Sequence, residues 1–441
     1  MMKPPPRIET FGCRLNIWES EVIRRHTSSA GLENAVVINT CAVTAEAERQ
    51  ARQAIRKARR ADPDARIIVT GCAAQIHPDS WRDMPEVDAV LGNHEKLEPE
   101  TWHRLARNNS PDLPSLVGDI MAVREIAPHL LEGFEHHTRA FLQIQQGCDH
   151  RCTFCIIPYG RGNSRSVPMA VIIDHVAKIA DSGTAEVVLT GVDVTSWGQD
   201  LDGKPGLGQL VRNILAEVPQ LERLRLSSID PAEIDRDLLD VLGNDPRLMP
   251  HLHLSVQHGD DLILKRMKRR HGRKDVLALV AEARQARPDV IFGADMIAGF
   301  PTEDEAAHSA SLDLIERAGL TWLHVFPFSP RDGTPAARMP QVAGDVIRAR
   351  AAALRSAATD REQAFLSSRI GAVDDVLMET GGIGHTQQFA RVRILSDHNP
   401  RAKTGQTHIH CDRPVTDLAV GKVYPALITA VADGVLEAEL R

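Results

Sequence analysis

The segment AVVINTCAVTAEAERQARQAIRKARRADPDARIIVTGC, residues 35–72, contains two β-prone runs that each lead directly into a cysteine. Between these runs, residues 45–60 have the apolar periodicity of an amphipathic helix. An earlier run, RIETFGC (7–13), has the same form and is followed by a second helical pattern at 15–29. Strands that alternate with helices in this way predict a parallel sheet built from βαβ units.

Cys13, Cys41 and Cys72 each follow one of these predicted strands. The C-terminal ends of parallel strands share one edge of the sheet, and open α/β sheets bind their ligands there. We therefore expect the three thiols to converge, although 28 and 31 positions separate them along the chain. A short run at 88–91 is expected to extend the sheet.

A second alternation of strands and helices begins at residue 139, after a segment (106–135) whose composition is typical of a linker. Its predicted strands are 140–144, 186–190, 223–227, 253–257, 290–295 and 323–326. Six β/α units predict an incomplete parallel barrel, whose chemistry should lie at the C-terminal ends of the strands.

The C-terminal part has a different pattern. A helix is predicted at 342–367, and after it come short strands broken by glycines, which fits a small β-barrel. The predicted fold class is therefore α/β with three domains. These are an N-terminal parallel α/β sheet domain (1–112), a central partial (β/α)6 barrel domain (134–364) and a C-terminal small β-barrel domain (366–435).

The composition is close to that of an average water-soluble protein, with 43% hydrophobic and 25% charged residues. No apolar run is long enough to span a bilayer, and the start MMKPPPR lacks the apolar stretch of a secretory signal. We expect a cytoplasmic protein without a membrane partner. In that reducing compartment, seven cysteines favour metal binding or redox chemistry over disulfides. The net charge of −7 means that RNA would have to bind at local basic patches.

QGCDHRCTFC (146–155) places Cys148, Cys152 and Cys155 in a C-x3-C-x2-C motif, directly after the first barrel strand. A [4Fe-4S] cluster normally takes four thiolates, so three thiolates leave one iron open. The amino and carboxylate groups of S-adenosylmethionine can chelate that iron, with Phe154 against the adenine ring. The alternative is a structural zinc site that uses His150 or a distant residue as its fourth ligand.

Several motifs resemble those of the radical S-adenosylmethionine methylthiotransferase family. The cluster motif QGCDHRCTFCIIPYGRG is similar, and so are FGCRLN, INTCAVT and VTGCAAQ around the three N-terminal cysteines. Further matches are VLTGVDVTSWGQDL, LSSIDPAEI, GADMIAGFPTE, HVFPFSPRDGTPA and GHTQQFARV. The resemblance is closest to the branch that acts on threonylcarbamoyladenosine 37 of transfer RNA, and it implies a radical S-adenosylmethionine barrel followed by a TRAM-like β-barrel.

The resemblance implies two [4Fe-4S] clusters with different duties. One cluster, on Cys148, Cys152 and Cys155, would reduce and cleave S-adenosylmethionine. The other, on Cys13, Cys41 and Cys72, would offer its open iron to the inserted sulfur. Implied partners are the anticodon stem-loop of transfer RNA, an electron donor of the flavodoxin or ferredoxin type, and a sulfur source.

Five residues at the ends of the barrel strands are candidates for binding S-adenosylmethionine, in addition to Phe154. Glycine permits close approach of the backbone, and the polar groups can bond ribose and carboxylate. These candidates are Gly191, Ser228, Gln257, Asp295 and Gly299. The alternative for each of them is an ordinary turn residue or helix cap.

Three basic features are candidates for RNA contact. Arg49, Arg52, Arg56, Arg59 and Arg60 recur at helical spacing and form one stripe. The run KRMKRRHGRK (265–274) and a C-terminal strand with Phe389, Arg391 and Arg393 are the other two. The alternative in each case is a solvated surface.

The residues alone are also compatible with two other functions. One is the same chemistry on isopentenyladenosine 37 or on an aspartate of a ribosomal protein. The other is a non-catalytic zinc protein that binds RNA.

Overall fold

The structure, a computed structural model, describes residues 4–107, 115–124, 138–395 and 418–441. Its N-terminal sheet is parallel, and the strands lie in chain order, β1-β2-β3-β4. The strands are β1 (Arg7–Thr10), β2 (Ala35–Thr40), β3 (Arg66–Gly71) and β4 (Ala89–Val90). The helices are α1 (Arg14–Ser29), α2 (Ala45–Ala61), α3 (Cys72–Ile76), α4 (Pro78–Arg82) and α5 (Pro99–Arg107). The predicted parallel βαβ sheet is thereby confirmed.

The central domain contains the six predicted strands, in two parallel sheets of order β5-β8-β9 and β10-β11-β12. The strands are β5 (Arg139–Gln143), β6 (Gln145–Gln146), β7 (Arg165–Ser166), β8 (Glu186–Thr190), β9 (Arg223–Leu226), β10 (His251–Gln257), β11 (Ile291–Ala298) and β12 (Leu320–Pro327). The helices are α6 (Ile157–Arg161), α7 (Met169–Asp181), α8 (Leu207–Glu217), α9 (Arg236–Asn244), α10 (Asp261–Arg266), α11 (Arg273–Ala286), α12 (Glu305–Ala318) and α13 (Gly344–Ser368).

The two sheets form one incomplete barrel. Isolated bridges from Leu224 to Leu248 and from Ile229 to Leu254 join them, whereas β5 and β12 are not paired with each other in the described chain. The N-terminal domain packs beside β5, because Leu15 and Trp18 of α1 share a buried apolar cluster with this strand. The partial barrel predicted from the strand–helix alternation is confirmed.

The C-terminal strands form a closed barrel of order β13-β14-β15-β17-β16. They are β13 (Val373–Met378), β14 (Ile383–His385), β15 (Arg391–Ile394), β16 (Val423–Ala432) and β17 (Val435–Leu440). This small barrel contacts the N-terminal ends of the central strands: Arg223, which begins β9, donates to the backbone oxygen of Asp375 at 2.8 Å. Among the described residues, no helix combines the length and apolar character that crossing a membrane requires.

Candidate active site

The three N-terminal cysteines meet at the C-terminal edge of their sheet. Cys13 lies between β1 and α1, Cys41 follows β2, and Cys72 begins α3 directly after β3. The loop that carries Cys13 lies close to Cys41. A Cβ added to Gly12, which directly precedes Cys13, would lie 2.8 Å from the sulfur of Cys41. Burial, with the nearby thiols of Cys72 and Cys13, raises the pKa of Cys41 to about 12. The convergence expected from the strand ends is therefore present.

The second set of cysteines lies on the loop between β6 and α6. Asp193 Oδ2 is 3.5 Å from the sulfur of Cys148, and Arg269 Nη1 is 3.6 Å from that of Cys152. Burial raises the pKa of the Cys155 thiol to about 12. These thiols are thus partly buried, and charged side chains lie beside the sulfurs of Cys148 and Cys152.

Helix α6 brings the two sets of cysteines together. It begins two residues after Cys155, and a Cβ added to its Gly160 would lie 3.2 Å from the Cβ of Cys72. At the end of the same helix, Arg161 Nε donates to the sulfur of Cys72 at 2.9 Å. The sequence motif that contains the second set therefore continues directly into a contact with the first set.

Arg161 is the centre of a buried polar network that the sequence analysis missed. Its guanidinium bonds Glu19, which also accepts a hydrogen bond from Lys96 Nζ at 2.6 Å. Asn93 connects Lys96 to the cysteines: its Oδ1 accepts from Lys96 Nζ at 2.7 Å, and its Nδ2 donates to the sulfur of Cys72 at 3.7 Å. Burial alone would raise the pKa of Glu19, but Arg161 and Lys96 hold it below its usual range.

One signal in the sequence pointed to this network. Glu19 lies on α1 beside Trp18, on the helix face that packs against the central domain, so its charge required a buried partner. The identity of that partner was not visible, because Arg161 lies 142 positions away.

Three arginines of the basic run 265–274 form ion pairs within the protein. Arg269 is 8% exposed and donates to Asp230 at 2.9 Å, and Arg270 pairs with Glu233 at 2.6 Å. Arg273 is bonded to Asp313. These three charges are compensated by acids from neighbouring loops and helices of the barrel. Lys265, Lys268 and Lys274 are exposed, so contact of this run with RNA stays a prediction.

The arginine stripe on α2 is also largely engaged within the protein. Arg49 pairs with Glu46, and Arg59 bonds Asp88 together with three backbone oxygens. Arg52 lies over the buried ring of Trp81, with 4.3 Å from its guanidinium carbon to the ring centroid. The acidic partners come from the helix itself, as Glu46, and from the chain that follows it, as Asp88.

Phe389 is not on an RNA-binding strand. It precedes β15, in the left-handed region at φ +69°, and its ring is turned toward the central barrel. There it stacks on His251, with ring centroids 5.7 Å apart. Arg391 and Arg393 do lie on β15, with side chains toward the outside, so they remain candidates for RNA contact.

Four of the six candidates for binding S-adenosylmethionine lie near the cysteine loop or at strand ends. Phe154 packs edge-on to Phe300, with centroids 6.5 Å apart. Gly191 follows β8, where a Cβ would come within 2.9 Å of the backbone oxygen of Gln145. Ser228 is exposed just after β9, and Gln257 ends β10.

The other two candidates have different surroundings from those expected. Strand β11 continues to Ala298, so Asp295 lies within the strand and not at its end, between His253 (3.0 Å) and His324 (3.1 Å). The close approach at Gly299 is to another part of the protein, since a Cβ there would meet Ile347 of α13 at 2.5 Å. The reason given for a cofactor contact at Gly299 is therefore wrong.

The groups around the cysteines can be compared with the requirements of a cluster and of a single zinc ion. Four sulfurs bound to one zinc would be about 3.8 Å apart, given bonds of about 2.3 Å. In neither cysteine set do the three sulfurs all lie within 4.8 Å of one another. His150 instead lies 3.1 Å from Asp193. The three thiols of each set suit a [4Fe-4S] cluster with an open iron, whereas Cys148, His150 and Asp193 lie within 4.8 Å of one another, as the ligands of a single metal ion would.

Comparison with known proteins agrees with this geometry. Residues 142–315 match the model of the Radical SAM superfamily, and residues 6–92 match that of Uncharacterized protein family UPF0004. The chain is 47% identical over 98% of its length, and 97% of the other protein, to the threonylcarbamoyladenosine tRNA methylthiotransferase MtaB of Rickettsia prowazekii.

Two further similarities extend this comparison. A tRNA-2-methylthio-N(6)-dimethylallyladenosine synthase of Cereibacter sphaeroides is 36% identical over 85% of this chain and 87% of that protein. Among solved structures, the radical S-adenosylmethionine methyltransferase TsrM from Kitasatospora setae has a TM-score of 0.52 at 16% identity, and the match covers 73% of this chain and 70% of that chain. The structural match shows a shared fold.

Proposed function

The chain belongs to the radical S-adenosylmethionine tRNA methylthiotransferase family, and from this premise we propose that it converts N6-threonylcarbamoyladenosine 37 of transfer RNA to its 2-methylthio derivative. The observation that carries the proposal is the direct contact between the two cysteine sets through α6 and Arg161. Support for this substrate comes from the relative with 47% identity, since the relatives named for dimethylallyladenosine reach 36%. Membership of an enzyme family decides against a non-catalytic zinc protein.

Each cysteine set would hold one [4Fe-4S] cluster: Cys148, Cys152 and Cys155 the first, and Cys13, Cys41 and Cys72 the second. When bound, the first cluster and S-adenosylmethionine supply the one-electron chemistry that activates C2 of the adenine, and the second cluster presents the sulfur.

The residues around the clusters bind, orient and exclude water. Arg161 Nε donates to the sulfur of Cys72 at 2.9 Å and so holds this side chain in place beside the proposed second cluster. Gln145 Oε1 accepts from the backbone nitrogens of residues 192 and 193, which positions the carboxylate of Asp193 beside Cys148. Phe154, Gly191, Ser228 and Gln257 are the proposed contacts of S-adenosylmethionine.

The remaining proposals concern the partners, the domain boundaries and the location of the protein. The proposed partners are the anticodon stem-loop, an electron donor of the flavodoxin or ferredoxin type, and a sulfur source. The proposed domain boundaries are 1–112, 134–364 and 366–435. The proposed location is the cytoplasm, where transfer RNA is modified.

The substrate is tested by mass spectrometry of transfer-RNA nucleosides from a deletion strain. We expect 2-methylthio-N6-threonylcarbamoyladenosine to disappear and its unmethylthiolated precursor to accumulate, while the dimethylallyl series is unchanged. An unchanged level of the threonylcarbamoyl product, or loss of the dimethylallyl product in its place, would contradict the proposal.

The division of labour between the clusters is tested with one variant of each set in anaerobically purified protein. Cys152→Ala should abolish cleavage of S-adenosylmethionine, whereas Cys41→Ala should retain cleavage and lose sulfur insertion. The wild type should contain about eight irons with acid-labile sulfide, and each variant about four. Equal loss of cleavage in both variants would show that the roles are misassigned.

A further inference from the structure

An arginine without a bonded acid lies beside the N-terminal cysteines. Arg14 follows Cys13 at the start of α1 and is partly exposed. In the described part of the chain, no carboxylate or carbonyl oxygen accepts a hydrogen bond from it, and its recorded contact is with the ring of Phe389 at 5.9 Å. Its planar array of N–H donors is therefore available to a bound group.

Other guanidinium groups surround the same phenyl ring. Arg139 and Arg225 lie 5.0 Å and 4.9 Å from the centroid of Phe389. Both pair with one buried carboxylate, that of Glu186, at 2.9 Å and 3.0 Å.

Charged side chains of both signs surround this position. Arg223 is a fourth guanidinium near Glu186, at 3.9 Å, and Glu379 is a second carboxylate, 2.8 Å from Arg139. Asp295 is a third carboxylate near Arg14, but in the described part of the chain Arg14 forms no ion pair with any of the three. The guanidinium of Arg14 is therefore the group left to bind an anionic ligand.

A second observation points to a ligand at the same position. His251 is 4% exposed and stacks on Phe389 with the ring planes 12° apart. Neither of its ring nitrogens has a hydrogen-bond partner among the described residues. A buried polar group without a partner is costly, and a ligand that accepts a hydrogen bond from the imidazole would remove this cost.

We propose that Arg14, Arg139, Arg225, His251 and Phe389 form a pocket, here called the arginine pocket, that binds the carboxylate of the substrate's threonylcarbamoyl group. The inference rests on the proposed function, and it adds the protein groups that select the threonylcarbamoyl substrate. A threonylcarbamoyl group carries a carboxylate, which the planar guanidinium of Arg14 can bind through two parallel hydrogen bonds, whereas a dimethylallyl group carries no charge. Because Arg14 directly follows Cys13, the bound substrate lies next to the second cysteine set.

The first test changes the substrate and leaves the protein intact. Anticodon stem-loops bearing N6-threonylcarbamoyladenosine, or its neutral methyl ester, are titrated into the anaerobic holoenzyme, and the dissociation constants are compared. We expect the ester to bind about 10- to 100-fold more weakly, as for loss of one charge-assisted contact. Equal binding of acid and ester by the wild type would overturn the inference without any mutation.

The second test changes the protein. Arg14→Gln should bind acid and ester about equally, and Arg14→Lys should retain part of the preference because it keeps the charge without the planar guanidinium. The matched control is Arg317→Gln, an exposed position on α12, which should discriminate like the wild type. Iron content and cleavage of S-adenosylmethionine are measured on every variant, to show that the clusters are loaded.

The outcomes separate this inference from the proposed function. Methylthiolation of the threonylcarbamoyl stem-loop by the wild type, combined with undiminished discrimination in Arg14→Gln, would reject the arginine pocket alone. Methylthiolation of a dimethylallyl stem-loop in place of the threonylcarbamoyl one would reject the proposed substrate itself.

Discussion

At the scale of single residues, Arg161 makes the contacts that most directly connect the N-terminal cysteines with the cysteine loop of the central domain. It is buried, it donates to the sulfur of Cys72, and it bonds Glu19 of the N-terminal domain. A guanidinium suits this position because its planar donors can serve a sulfur and a carboxylate at once, and because it remains charged when buried. The buried ion pair with Glu19 adds little net stability, and its main effect is to hold the Arg161 side chain in a defined geometry.

Arg161→Gln should destabilise the protein and weaken its second cluster. Glu19 would retain Lys96 but lose its other charged partner, and a broken buried pair costs about 3–5 kcal/mol. The free energy of unfolding is measured by denaturant titration, and the iron content is measured in parallel. The control is Arg317→Gln in an exposed ion pair, which should cost less than about 1 kcal/mol. Equal effects of the two substitutions would contradict this role of Arg161.

At the scale of structural elements, the loop between β14 and β15 holds the C-terminal barrel to the central barrel. The backbone oxygen of Gln388 accepts from Trp322 Nε1 at 2.9 Å, and that of Gln387 accepts from Arg225 Nη1 at 3.1 Å. The ring of Phe389 then occupies the space among the arginines. The loop therefore acts as an anchor between domains, and the outer face of β15 is left for other contacts.

Phe389→Ala should loosen this anchor. Removal of the ring loses one stacking contact and several cation–π contacts, together about 2 kcal/mol. Hydrogen exchange of β13–β17 should become faster, while exchange of β1–β4 should not change. Val420→Ala, at a position that is 52% exposed, is the matched control. Unchanged exchange in the Phe389 variant would mean that the loop does not hold the domains together.

At the scale of the whole molecule, one buried charge cluster lies where the central and C-terminal domains meet. Burial would raise the pKa of Glu186, but Arg225, together with Arg139 and Arg223, lowers it to about 2. Arg223 and Arg225 also bond backbone oxygens of the C-terminal barrel. Protonation of one carboxylate would therefore affect both domains.

This cluster predicts how stability depends on pH. Because the pKa of Glu186 is lower in the folded protein than its ordinary value, its contribution is fully present above about pH 4.5 and is lost as the pH falls toward 2. The contribution is about 3 kcal/mol. Denaturant unfolding of metal-free protein at about pH 5 and about pH 3 measures the larger part of it, because the folded carboxyl titrates mainly below pH 3. Glu186→Gln should show a smaller decrease over this interval, and an equal decrease would count against the assignment.

The sequence by itself determined the strand–helix alternation, both cysteine sets and the convergence of Cys13, Cys41 and Cys72. These features follow from local periodicity and from the rule that parallel strands end at one edge, so short segments are sufficient to predict them. The family motifs predicted the iron–sulfur and S-adenosylmethionine chemistry in the same way, because the spacing of cysteines in a loop is visible in a short segment of sequence.

Only the tertiary structure decided what the buried charges do. Arg161 and Glu19 are 142 positions apart, and Arg225 meets Phe389 across two domains. The local sequence around a charged residue is the same whether its side chain contacts solvent, RNA or a distant acid. For this reason several arginines that form ion pairs within the protein were candidates for RNA contact. The partner of a buried charge is set by long-range packing, and it becomes visible when the domains are assembled.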